Sequence, residues 1–114
     1  MTISTLPDSL YGKTLRWTFK DGPTKGMAFE HIFGEDGTVV WRSVGPNAKD
    51  HRESSSAAIK VSEDVHLVSY LAKESGYTIT VALNLDTGTA TCFASNGKEW
   101  VQQSGTFDIA NDGR

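Results

Sequence analysis

The stretch Phe29-Glu-His-Ile-Phe-Gly-Glu-Asp-Gly-Thr-Val-Val-Trp-Arg42 constrains the fold more than any other part of the chain. Two runs of alternating residues flank Gly34-Glu35-Asp36-Gly37, and Asp and Gly tolerate the positive φ that a tight hairpin turn requires. In an extended strand every second side chain points the same way. One face of the first arm therefore carries Phe29, His31 and Phe33, and the matching face of the second carries Val39, Trp41 and Ser43. Aromatic rings, an imidazole and a hydroxyl sharing one surface suit the wall of a small-molecule pocket.

The rest of the chain repeats the pattern in short units. Strands are expected at Thr14–Phe19, Met27–Phe33, Thr38–Val44, Ala57–Val61, Val65–Leu71, Tyr77–Leu83, Thr89–Ser95 and Trp100–Ile109. Leu15, Trp17 and Phe19 share a face of the first, and Ile79, Val81 and Leu83 a face of the sixth. Asn96-Gly97 is a strong two-residue hairpin signal. Residues 4–11 are expected to form one helical turn, capped by Ser4, Thr5 or Asp8, with Leu10 and Tyr11 packing inward. Gly45–Ser55 is polar, aperiodic and rich in turn residues, and reads as a mobile surface loop. The tail Asn111–Arg114 is expected to fray. An all-β fold follows: a single eight-stranded antiparallel meander, closing into a barrel that holds packed side chains or one small ligand. A two-sheet sandwich is the competing architecture.

Composition narrows the function. At 114 residues the chain makes one domain able to bury a core without disulfide or metal. Its 11 Lys and Arg against 14 Asp and Glu, with no basic block, argue against a nucleic-acid surface. Apolar runs are far shorter than the ~20 residues of a membrane helix. Neither a positive start nor an apolar segment marks a secretory signal. The lone Cys92 excludes an internal disulfide and suits a reducing compartment, so a cytoplasmic location is expected. His31, His51 and His66 lack the spacing of a metal site, and neither metal nor cofactor is expected.

Several segments together resemble a known family. Gly12-Lys-Thr-Leu-Arg-Trp-Thr-Phe19, Phe29-Glu-His-Ile-Phe33 with Asp36-Gly-Thr-Val-Val-Trp-Arg42, Val65-His-Leu-Val-Ser-Tyr70 with Gly76–Asn84, and Gly105-Thr-Phe107 resemble the MoaF family of small lipocalin-like (calycin-type) barrels. The resemblance spans nearly the whole chain. More distantly the chain is similar to bacterial phenolic acid decarboxylases. That likeness places Trp17 and Phe19 where those enzymes carry substrate-binding tyrosines, and Ala72 where they carry the catalytic glutamate. Arg52 is the candidate for their substrate-orienting arginine. Without the phenols and the carboxylate, decarboxylation by that mechanism is not expected.

The candidate ligand-binding residues are Trp17, Phe19, Phe29, His31, Trp41, Ser43, Val68 and Tyr70. His31 is either a core histidine bonded to a neighbouring carbonyl or hydroxyl, or a ligand contact or general base. His66 either approaches His31 across the barrel or faces solvent at a strand end. His51 reads as a solvated loop residue. Parity leaves open whether Cys92 or Phe93 points inward. Three functions fit: a barrel binding a small apolar or aromatic molecule; a lyase or isomerase using His31 or His66 as acid–base; and a homodimeric interaction module seeded by outward-facing Val40, Val44 and Ala58.

Overall fold

The computed structural model describes residues 6–110. Alternation produces nine strands: β1 (Thr14–Phe19), β2 (Ala28–Phe33), β3 (Val39–Ser43), β4 (His51–Glu53), β5 (Ser56–Lys60), β6 (Val65–Ala72), β7 (Tyr77–Asn84), β8 (Thr89–Ser95) and β9 (Trp100–Ala110). They form one antiparallel sheet ordered β4-β3-β2-β1-β9-β8-β7-β6-β5. The sheet curls into a nearly closed barrel, so the sandwich is not the architecture. Its two edge strands, β4 and β5, are consecutive in the chain. Just before β5, Ser55 O accepts the Leu71 amide at 3.1 Å and extends the β5–β6 pairing, while Glu53 Oε1 of β4 accepts the amide of Lys73, which follows β6, at 3.3 Å.

The expected count of eight strands is corrected by β4, which lies inside the polar stretch expected to be a loop. Its three residues pair with β3, Trp41 opposite His51 and Val39 opposite Glu53. The expected helical turn is also absent: residues 6–13 contain no helix, and the proposed caps Ser4 and Thr5 lie outside the described residues. Leu10 nevertheless packs inward at 1% exposure, and the Gly12 amide bonds to Phe33 O at 2.8 Å. This segment plugs the barrel end that carries the β2–β3 turn. Gly37 in that turn has φ +87°, as the hairpin reading requires. No helix among the described residues is long and apolar enough to cross a membrane.

Directly opposed residues of an antiparallel pair lie on the same face. His66, Val68, Tyr70 and Ala72 of β6 are all buried, so Ala58, opposite Val68, is carried inward too and is 7% exposed. The expectation that Ala58 faces outward is thereby corrected. Ile59 and Val61 take the outer face, at 54% and 58% exposure. On β8 the parity settles as Cys92 in and Phe93 out, the latter beside exposed Trp100. Along β9, Gly105 sits where β1 crosses closest. A Cβ there would come within 1.9 Å of Thr18 O, so only glycine lets the two strands meet.

Candidate functional site

Register aims a set of rings at the barrel axis. Trp17 faces Phe29 across β1 and β2, and His31 faces Trp41 across β2 and β3. From the other wall come Tyr70 and Ala72 on β6 and Cys92 on β8. These residues border a cavity of about 450 Å³. It reaches the barrel end opposite the plug, where Pro23 and Thr24 of the β1–β2 loop and Glu74 and Ser75 of the β6–β7 turn line it. Gln103 of β9 fixes that rim, its Oε1 accepting bonds from the Thr24 amide at 2.8 Å and the Thr24 hydroxyl at 2.9 Å.

His31 lies at the centre of the aromatic group. Its ring stacks on Trp17 with centroids 4.0 Å apart and planes within 18°. Trp41 lies nearly parallel to it at 6.1 Å. The imidazole Nε2 shares a 2.8 Å hydrogen bond with the Tyr70 hydroxyl, while Nδ1 is enclosed and has no hydrogen-bond partner among the described residues. Burial pushes the His31 pKa down to about 3, because the charged form would lose its hydration. Burial likewise pushes the Tyr70 phenol well above its usual range, with the nearby Cys92 and Glu53 acting in the same direction. At neutral pH the pair is an uncharged imidazole bonded to an uncharged phenol.

Trp41 joins this group to a carboxylate. Its indole Nε1 donates to Glu53 Oε2 at 3.1 Å, and the Lys73 amide donates to Glu53 Oε1 at 3.3 Å. Glu53 is only 7% exposed and borders the cavity next to Ala72. The wall that lacks a carboxylate on β6 thus receives one from β4. On Trp41 also stacks His51, at 4.3 Å and 16°.

Of the residues singled out in the sequence, Trp17, Phe19, Phe29, His31, Trp41 and Tyr70 border the cavity. Ser43 and Val68 do not. Val68 is buried between Ala58 and Val81 on the flanking strands, and Ser43 is half-buried opposite Phe29. His66 is not the solvent-facing strand end considered above: it is 1% exposed, bonded to the backbone of Pro7, and away from the cavity lining. His51 is a half-buried strand residue rather than a solvated loop one, because β4 places it against Trp41. Arg52 alternates outward and is exposed. Cys92 borders the cavity as a thiol, its pKa pushed up to about 11 by burial. Among the described residues no three His, Cys, Asp or Glu side chains gather as a metal site.

The sequence reading missed Glu53 and Gln103. Gln103 was within reach of parity, since Val101, Gln103 and Gly105 alternate with polar neighbours along β9. Glu53 was not, because a three-residue strand of His, Arg and Glu carries no apolar period.

The MoaF N-terminal domain family matches residues 4–99. Among curated proteins none matches the sequence. Among solved structures, a "putative beta-lactamase" from Burkholderia vietnamiensis is similar, with TM-score 0.69 and 15% identity over 93% of this chain and 100% of that one. At that identity the likeness concerns the fold alone. The family match covers most of the sequence and strands β1 to β8, and the chain belongs to the MoaF N-terminal domain family.

Proposed function

We propose that this barrel binds a small, largely apolar or aromatic molecule in its interior, admitted between the β1–β2 loop and the β6–β7 turn. The observation that carries the reading is the cavity of about 450 Å³ bordered by Trp17, Phe29, Trp41 and Tyr70. A volume of this size lies within the range of small-molecule sites, roughly 300–1,000 Å³. The polar groups are few, as such sites require. They include the Glu53 carboxylate, Gln103 and the His31–Tyr70 pair, whose imidazole Nε2 and phenol hydroxyl lie 2.8 Å apart.

Binding is favoured over proton transfer by the state of His31. A general acid–base works best with a pKa near the operating pH, and an imidazole held near 3 is far from it. His66, the other acid–base candidate, does not border the cavity.

Tryptophan fluorescence tests the reading, because Trp17 and Trp41 border the cavity while Trp100, 64% exposed, contributes only background. In a Trp100→Phe variant, titration with aromatic amines, alcohols and acids is expected to give a saturable change with at least one class. A flat response to every class would reject the receptor reading.

A further inference from the structure

We infer that the cavity selects a cationic guest, an aromatic or aralkyl amine, with the Glu53 carboxylate as its counter-charge. The inference rests on the receptor reading above and adds the charge of what is received.

Charge around the cavity is one-sided. Among the described residues its lining contains Glu53 and Glu74 but no Lys or Arg. His31, the remaining ionisable group with a basic form, is neutral. The Lys73 ammonium turns away from Glu53 and reaches Ser54 Oγ at 3.5 Å. His51 faces Glu74, at 3.9 Å, rather than Glu53. Glu53 is therefore a carboxylate removed from water with two N–H donors and no ion pair among the described residues. Each of its oxygens accepts one bond and has capacity for another. A guest ammonium would take up that remaining capacity and add the charge partner that the two N–H donors do not supply.

The rings suit the same guest. The Trp41 indole donates from its edge to Glu53, so the carboxylate lies at the edge of that ring, in a cavity that other aromatic rings border. Phe29 and Tyr70 centroids are 6.5 Å and 6.2 Å from that of Trp41. An ammonium is attracted to such faces by the ring quadrupole, and the same faces pack the guest's own ring. An aromatic acid meets the reverse: two carboxylates and nothing to neutralise its own.

Three ligands with one body decide the matter: 2-phenylethylamine, 2-phenylethanol and phenylacetate, titrated calorimetrically into the full chain. The amine is expected to bind at least tenfold tighter than the alcohol, and phenylacetate weakest. In Glu53→Gln the amine's advantage is expected to fall below threefold while the alcohol's affinity stays within threefold. Equal binding of all three, or an amine preference that survives in a folded Glu53→Gln, would overturn the charge assignment and leave the receptor reading standing. No binding by any of the three, together with the flat fluorescence response above, would overturn both. The comparison on the unaltered protein is decisive even if the variant does not fold.

Discussion

At His31 the removal of water acts on a proton. The folded chain holds this imidazole near pKa 3, against an ordinary value of 6.5. Between those values the unfolded chain carries a proton that the folded chain does not. Stability therefore rises with pH across the interval and is lost as pH falls through it. His66 is shifted in the same direction, first by burial. The clean window runs from 6.5 down to the ordinary carboxylate value of 4.5, above the range where Glu30 and its like take up protons. Across it, urea unfolding is expected to show stability falling with a slope approaching about 1.4 kcal/mol per pH unit from the His31 proton, with His66 adding in the same direction. His31→Gln, which keeps a polar partner for Tyr70, is expected to remove one proton's share of that slope. An unchanged slope would show that some other group carries the effect. Much of this site was legible in the sequence, since parity alone places His31, Trp41 and Tyr70 on interior faces. Partners were not legible: the bond to Tyr70 spans β2 to β6, and that pairing depends on how the sheet closes.

Among the elements, β1 and β9 show how tightly one position can govern a ladder. Gly105 faces Phe19 with the Thr18 carbonyl 1.9 Å from where a Cβ would stand. Gly105→Ala is expected to cost about 3 kcal/mol or more, because backbone rather than a flexible side chain must yield. Gly37→Ala meets nothing closer than 3.9 Å and is expected to cost only about 1–2 kcal/mol for its left-handed φ. Denaturant unfolding of the pair checks the order; a cheaper Gly105 change would mean that the two strands can part. Eight of the nine strands follow from alternation and turn residues, because half-buried strands write a period of two into the chain. The two departures share a cause. β4 is too short and polar to show a period, and β5 has its apolar pattern on the face opposite to the one its neighbour buries. Both are edge strands at the seam, placed by register with β3 and β6 rather than by their own composition. Along the outer face of β1, β2 and β3 alternation served well. There Glu30 accepts bonds from Arg16 and from Arg42, the latter at 3.0 Å, and Arg42 reaches Asp50 at 3.1 Å.

For the molecule as a whole, the two ends of the barrel differ in kind. Leu10, Phe33 and Val39 fill one end with hydrocarbon, while the other opens onto rings, a phenol and a carboxylate. For the guest we propose, that polarity marks the open end as the way in and leaves the opposite end to hold the strands together. The wall itself is built almost entirely from neighbours in sequence: among the described residues only the ladder of β1 with β9 pairs distant parts of the chain. The seam between β4 and β5 thus marks where the order of strands, traced around the wall, starts and stops. If the peptide between Ser54 and Ser55 were opened and Ala110 joined to Leu6 by a short linker, the strands would run β5 through β9 and then β1 through β4. Every ladder would then link successive strands, and the one long-range closure would become an ordinary hairpin. Shorter mean sequence separation speeds folding, so stopped-flow refolding of this circular permutant is expected to outpace that of the natural order; an equal or slower rate would place the folding barrier elsewhere than in the meeting of β1 with β9.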